Sequence, residues 1–350
     1  MRDAEKILII RLSSIGDIIL SSPLIRCLRN KFPNSQIDFL VRNEYSDLVK
    51  YNPHLNKVIE FDIRGGFNSL KQLTRQLKQE NYSIVLDIHN SLRSRYIRHF
   101  SKPKSVHIID KRIAARFCLI NFKQNLYKKD IPVAERYLET TKELGVENDK
   151  KGLEIFIHDN HQNKIAENLL QVRSSDIKLI VGVAPSAKHN TKKWQAGKYV
   201  ELLARLVSEQ DALVLAFGGI EDKKEIDDIV NKVNEITCKQ AAVNFAGELS
   251  LLENAAAFDY CNVVITNDTG LMHLAAARKK KVVALFGPTV REFGFFPYGT
   301  ENIVVEDKTL SCRPCSHIGS KTCPKKHFKC MQDISSEKVY TEVKHILNIQ

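Results

Sequence analysis

Short β-rich apolar runs alternate with amphipathic stretches along this chain, and the alternation breaks off once and starts again. In the first half the runs are "KILIIRL", "QIDFLV", "KVIEF", "YSIVLDIH" and "SVHIID". Helical periodicity lies between them, including a helix expected from about Asp17 to Lys31 and another through "LKQLTRQLKQ". A polar stretch near "GVENDKKGLEIFIHDNHQNK" leads to the second half, where the runs are "KLIVGVAP", "ALVLAFGG", "AVNFAG", "VVITND" and "KVVALFGP". Strands that alternate with helices are joined by right-handed crossovers, which cover a parallel sheet on both faces. Two such sets predict two doubly wound, Rossmann-like α/β domains, and 350 residues exceed what one hydrophobic core usually serves. The expected division is residues 1–170 and residues 171–350, the second with a cysteine-rich loop at 312–330 and a C-terminal helix.

In doubly wound sheets ligands bind beyond the carboxyl ends of the strands, so chemistry is sought in the βα turns, with the interdomain cleft as the default location. The first turn, "RLSSIGDIILSSP", has only Gly16 where a dinucleotide fingerprint needs three glycines, and no Walker P-loop occurs in the chain. Both facts count against nicotinamide redox chemistry and NTP hydrolysis. What the turn offers is Ser13, Ser14, Gly16 and Asp17 at a helix start. Serine and aspartate there serve as caps and complement the helix dipole. The functional alternative is a fixed carboxylate at Asp17 that takes a proton from an incoming hydroxyl, with Ser14 and Gly16 beside the acceptor.

The corner "TNDTGLMHLAAA" gathers Asp268, Thr269, Gly270 and His273 between a strand and a helix. Thr269 is placed to cap the helix, and Gly270 lets a ligand approach the backbone. The N–H groups of residues 270 to 272, aligned with the helix dipole, would form an anion site, to which His273 adds a donor. An ordinary cap with a packed histidine is the plainer reading. A third turn, "APSAKHNTKKWQ", holds Lys188, Lys192 and Lys193 beside Trp194, the only tryptophan. These lysines are either solvated or placed to stabilise charge on a departing diphosphate, and Trp194 is read as an anchor for the helix. In "FGGIEDKKE", Glu221 or Asp222 is positioned for ribose hydroxyls.

The net charge of +12 suits nucleic acid, an anionic membrane surface or phosphorylated substrates. No strand platform interleaves aromatic with basic residues, so nucleic acid is not an expected partner. The basic residues Arg93, Arg95, Arg98, Lys102 and Lys104 would meet an anionic acceptor, or simply form a solvated face. No run approaches the roughly 18 apolar residues of a membrane span. "MRDAEKILIIRL" turns charged too early for a signal peptide, so the expected location is the cytoplasm, with peripheral contact at the inner membrane surface.

The motifs "SSIGDIILSSP", "KKW", "FGGIED", "GELSLLENAAAFDYCNVVITNDTGLMHLAAA" and "VVALFGPT" occur in order along nearly the whole chain. Together they resemble glycosyltransferase family 9, the ADP-heptose:lipopolysaccharide heptosyltransferases. The resemblance implies a GT-B fold with the acceptor half first and the nucleotide-sugar half second, an inverting mechanism, and no catalytic metal. It puts the catalytic base on Asp17 and the phosphate-neutralising lysine on Lys192. It also implies that Asp268, Thr269, Gly270 and His273 form the nucleotide-sugar corner, that Leu249 lies beside adenine, and that Asp222 binds ribose. Where some relatives carry hydroxyl residues ahead of the lysine, this chain has Ala187 and Lys188, with Ser186 close enough to substitute. The donor base ADP rests on resemblance alone. The implied reaction moves a heptose or related sugar from an ADP-sugar to a lipopolysaccharide core or similar glycan. A non-catalytic sugar-nucleotide-binding protein and a sugar-nucleotide epimerase on the same fold are the alternatives.

Of eight cysteines, Cys312, Cys315, Cys323 and Cys330 are bunched in "SCRPCSHIGSKTCPKKHFKC". In a reducing compartment this spacing points to a structural tetrahedral metal, zinc or iron, with His317 or His327 able to replace one sulfur. Free thiols in a lid loop and a redox-formed disulfide are the other readings. Such a metal would be remote from the catalytic turns.

Overall fold

The computed structural model describes residues 5–170 and 177–349. The chain divides into two compact units, Met1–Arg112 with Ile131–Phe156, and Ile113–Asp130 with Ile157–Gln350. The expected cut at 170/171 abuts residues 171–176, which lie outside the described residues. The division falls at 156/157 instead, and residues 113–130 cross to the second unit. Specific bonds draw that segment there: Lys123 Nζ donates to the carbonyls of Cys312 (3.0 Å) and Pro314 (2.6 Å), and Asn125 Nδ2 to Glu292 Oε1 (3.1 Å). Helix Asp159–Leu170 belongs there too, with Lys164 Nζ 2.7 Å from Glu253 Oε1 on helix Leu251–Tyr260.

The first unit carries a parallel sheet of β1 (Lys6–Ile10), β2 (Gln36–Arg42), β3 (Lys57–Phe61), β4 (Ile84–Asp87) and β5 (Ser105–Ile108), in the order β3-β2-β1-β4-β5. The second carries β6 (Leu179–Ala184), β7 (Ala212–Ala216), β8 (Ala242–Asn244), β9 (Val263–Asn267), β10 (Lys281–Phe286) and β11 (Asn302–Glu306). Its order is β11-β10-β9-β6-β7-β8, again parallel. Strands β6, β7 and β9 are buried along their whole length, because helices cover both faces, and this is why they read as unbroken apolar runs. The edge strand β11 is only partly buried, and "NIVVE" gave no comparable run.

The helix expected from Asp17 to Lys31 is two, Ile15–Ile19 and Ser22–Lys31. Pro23, in the first turn of the second, has no N–H to continue the first. Ser21 and Ser22 turn their hydroxyls back onto the carbonyls of Ile18 (2.6 Å) and Ile19 (2.8 Å).

Trp194 is 2% exposed, meets Tyr199 edge-on at 4.8 Å, and donates from Nε1 to the Ile334 carbonyl at 3.0 Å. It anchors helix Ala196–Gln210, as expected. Trp194→Ala should cost about 3–5 kcal/mol of unfolding free energy, chiefly through the cavity, since the Ile334 carbonyl keeps Lys198 Nζ at 2.8 Å. Denaturant titration checks this, and a midpoint near wild type would show that the site collapses without loss. Among the described residues no helix is long and apolar enough to cross a membrane.

Candidate active site

The ligand crevice of a doubly wound sheet opens where the strand order reverses. In the first unit that point lies between β1 and β4, with Ile10 opposite Asp87. In the second it lies between β6 and β9, with Ala184 opposite Thr266. Each of the two turns singled out for catalysis and for the diphosphate follows one of these strands.

In the first unit, Asp17 sits in the opening turn of helix Ile15–Ile19 with its side chain 18% exposed. Its Oδ2 lies 2.7 Å from Arg11 Nη2 and accepts from Ser14 Oγ at 2.9 Å and from the Ser14 N–H at 3.4 Å. Its Oδ1 accepts from the Tyr137 hydroxyl at 3.1 Å. The capping reading is therefore partly right, since Asp17 does bond back to Ser14, but Arg11 and Tyr137 are more than a cap requires. Burial pushes the carboxyl up; Arg11, Ser14 and Tyr137 outweigh burial and hold it below the ordinary carboxylate range. An ionised carboxylate with one oxygen lightly occupied is an available, weak base. Gly16 is half-buried in the same turn.

Neither Arg11 nor Tyr137 was singled out in the sequence. A lone arginine ending the apolar run "KILII" is a signal that was there to be read, whereas Tyr137 lies 120 residues from Asp17 and no spacing marks it. Arg11 is 8% exposed, donates from Nη1 to the Ile88 carbonyl at 2.7 Å, and thereby ties the β1 turn to the β4 turn. Asp87, fully buried, organises that second turn: its Oδ1 accepts the N–H groups of His89 (3.1 Å) and Asn90 (2.7 Å), and Arg98 pairs with Oδ2 at 2.7 Å. Arg98 is thus a tied charge, while Arg93 and Arg95 are exposed on helix Leu92–Ser101. Burial, then Arg11 and Lys111, push the His89 imidazole down to about 3, so it is neutral at physiological pH.

Tyr137→Phe removes a hydrogen bond to the charged form of Asp17, so the carboxyl should protonate at a higher pH. The acid limb of the pH–rate profile should move upward with the fold intact; an unmoved limb would detach Tyr137 from the base.

In the second unit, Lys192 ends a 3₁₀ turn, Asn190–Lys192, and its Nζ lies 2.7 Å from Asp268 Oδ2. Thr289 Oγ1 donates to the same oxygen at 2.7 Å. Thr269 occupies the N-cap of helix Gly270–Ala277, but its hydroxyl makes no cap bond and instead lies 3.5 Å from Thr266 Oγ1. The expected Thr269 cap is therefore corrected: side chain and helix N–H groups point to different uses, leaving the helix start without that protein acceptor. His273 is buried one turn further on, 2% exposed. Ser186 is 8% exposed in the turn after β6, and Lys188 is exposed. Lys193 is drawn away, to Glu225 Oε2 (2.6 Å) and Asp222 Oδ1 (3.8 Å). Asp222 Oδ2 accepts the Gly219 N–H at 3.2 Å, and Glu221 is exposed. The Gly247 N–H donates to the Gly218 carbonyl at 3.1 Å, which brings the Asp222 turn beside the one that carries half-buried Leu249.

Cys312, Cys315, Cys323 and Cys330 are free thiols. Burial, then the other bunched thiols, raise Cys315, and burial and the same neighbours push Cys330 up to about 12. Cys312 Sγ lies 3.8 Å from His327 Nε2. Yet among the described residues no three His, Cys, Asp or Glu side chains are arranged to hold a metal ion, so the side chains as placed do not fit a closed tetrahedral site. The loop is also not remote from the turn that carries Lys192. Its Ser320 is bonded to Thr191, next to Lys192.

Two parallel-sheet α/β units, one with a carboxylate and the other with a lysine and a helix start at its switch point, have the architecture of the GT-B class of glycosyltransferases. A model of glycosyltransferase family 9 (heptosyltransferase) matches residues 70–327, and the chain belongs to that family. It is 31% identical over 299 residues to lipooligosaccharide heptosyltransferase 2 of Haemophilus influenzae, covering 82% of this chain and 84% of that one. To lipooligosaccharide heptosyltransferase 2 of Campylobacter jejuni it is 27% identical over 339 residues, 95% of each. The solved structure of E. coli ADP-heptose lps heptosyltransferase II shares the fold with a TM-score of 0.75 at 24% identity, covering 98% of both chains.

Proposed function

We propose that this enzyme transfers a heptose, or a closely related sugar, from an ADP-sugar to a lipopolysaccharide core or similar anionic glycan, with inversion at the anomeric carbon. The observation that carries the reading is the Lys192–Asp268 contact of 2.7 Å beside the start of helix Gly270–Ala277. An ammonium has three donors, and Asp268 takes one, leaving two for a diphosphate. The N–H groups of residues 270 to 272 and the helix dipole favour the same anion. Ser186, Lys188 and His273 supply further polar groups near the phosphates, with Leu249 beside the adenine and Asp222 at the ribose. The chain's likeness to the E. coli ADP-heptose lps heptosyltransferase II and the Haemophilus influenzae lipooligosaccharide heptosyltransferase 2 supports this donor and this acceptor.

In the reaction the acceptor oxygen attacks the anomeric carbon as Asp17 Oδ1 takes its proton. The carbon–phosphate oxygen bond breaks, and the electron pair leaves with ADP. Lys192 and the helix start meet the charge that develops on the diphosphate. Asp17 needs no activation, because its carboxyl is already ionised. Ser14 and Gly16 shape the acceptor side, where Arg93 and Arg95 meet acceptor phosphates. Exposed Phe67, Leu92 and Phe100 near these arginines support peripheral contact with an anionic membrane surface.

Incubation with ADP-heptose and lipopolysaccharide core acceptors tests the proposal, with GDP- and UDP-sugars as controls. Transfer from ADP-heptose alone is the expected result; tight nucleotide binding without transfer would leave only a binding protein. An acceptor KM left unchanged by Arg93→Glu with Arg95→Glu would remove those residues from the acceptor side.

A structural zinc or iron at Cys312, Cys315, Cys323 and Cys330 is a separate proposal, supported by the spacing of the four cysteines. It requires the loop to draw the sulfurs together as they deprotonate. Anaerobically purified protein should then contain about one metal ion per chain, and a clean zero rejects it.

A further inference from the structure

The cysteine-rich loop grips both halves of the Lys192–Asp268 pair. On the lysine side, Thr191 is 3% exposed. Its hydroxyl accepts the Ser320 N–H at 2.8 Å and donates to the Ser320 carbonyl at 3.1 Å, while its own N–H reaches that carbonyl at 3.2 Å. Gly319 adopts φ +94°, and a Cβ there would stand 2.7 Å from His189 Cβ and 3.2 Å from Lys192 Cγ. Only glycine lets the loop lie this close to the lysine stem in that conformation. The Ser316 hydroxyl accepts the Gly319 N–H at 3.0 Å and donates to the Gly319 carbonyl at 3.0 Å, so the approach is built and not accidental.

On the aspartate side, the Arg313 side chain is 5% exposed, pairs with Glu306 at 2.7 Å, and donates from Nη2 to the Thr289 carbonyl at 2.9 Å. A further guanidinium N–H reaches the Gly287 carbonyl. Thr289 is the residue whose hydroxyl holds Asp268. The Cys315 N–H adds a bond to the Pro288 carbonyl at 3.3 Å. One loop therefore fixes the turn that carries Lys192 and the turn that orients its partner.

We infer that residues 313–320 are a positioning clamp for the donor diphosphate, with Thr191, Arg313, Gly319 and Ser320 acting on the phosphate through Lys192 and Asp268. These are positioning residues and touch no reacting atom. The inference rests on the reading of Lys192 as the diphosphate group. The clamp explains why a loop distant in sequence closes on these two turns, and it assigns the cysteine-rich segment a part in donor binding.

The test uses the full-length chain with ADP as the probe, read by calorimetry, and with donor and acceptor KM in the transfer assay. Thr191→Val keeps the shape and removes the hydroxyl bonds; it should weaken ADP binding roughly tenfold and raise the donor KM similarly. The acceptor KM should stay near wild type. Thr191→Ser, which restores the hydroxyl, should restore ADP affinity, and Gly319→Ala should weaken it as Thr191→Val does. Against Lys192→Ala, Thr191→Val should add little, because both act through the same ammonium. If Lys192→Ala weakens ADP binding and Thr191→Val does not, the clamp is overturned. A Thr191→Val loss that is fully additive with Lys192→Ala, or that tracks only a lowered Tm, overturns it too. Unchanged ADP affinity in Lys192→Ala would instead sink the donor-site reading and the clamp with it.

Discussion

Asp17→Asn should nearly abolish sugar transfer while ADP binding and the fold survive. The amide cannot take the acceptor's proton, and removing a positioned general base typically lowers kcat by roughly 10²- to 10⁴-fold. The substitution keeps one oxygen, which can stay with Arg11 and Ser14, and puts an amide NH2 at the Oδ1 position, where the Tyr137 hydroxyl must accept instead of donate. Arg11 does lose its counter-charge in a mostly buried setting, and some stability goes with it. The sign of that loss with pH is fixed by the depressed carboxyl of Asp17. The pair stabilises the wild type above the unfolded carboxyl value of about 4, and this contribution disappears as pH falls through the lower folded value. The variant should therefore differ from wild type in Tm at neutral pH and converge with it in acid. Turnover by a folded Asp17→Asn protein at the wild-type rate would remove Asp17 as the base.

Lys192→Ala is the second large effect. Loss of one preorganised group that meets developing charge costs about 3 kcal/mol, or roughly a hundredfold in kcat. Here the loss is compounded. With the ammonium gone, the Asp268 carboxylate keeps only the Thr289 hydroxyl and faces the diphosphate as a like charge. ADP affinity should fall along with turnover, which separates this variant from Asp17→Asn. Lys192→Arg should recover only part of the activity, because a planar fork does not replace a compact ammonium whose side chain is only 13% exposed. Near-normal transfer in a folded Lys192→Ala protein would end the assignment.

Much of this molecule was legible along the chain because doubly wound sheets write themselves locally. Buried parallel strands appear as unbroken apolar runs, the helices between them carry a 3.6-residue period, and the polar turns stand where strand ends must be. The motif around Asp17 and the corner at Asp268 to Gly270 were found this way, and each follows a strand beside the reversal of strand order. What failed did so for local reasons. Pro23 divided a helix that periodicity had joined, β11 is an edge strand with a partly exposed pattern, and Thr269 turned its hydroxyl away from the helix it was expected to cap.

The amino-acid order by itself determined the fold class, the family and the positions of the polar turns, since each of these depends on residues near one another in the chain. Tertiary structure decided the partners. Arg11 and Tyr137 hold Asp17 ionised, Asp268 meets Lys192, residues 113–130 join the second unit, and the cysteine-rich loop closes on Thr191 and Thr289. Such contacts arise only when strand order sets distant segments side by side, and the charge state and aim of a side chain depend on what is then packed against it.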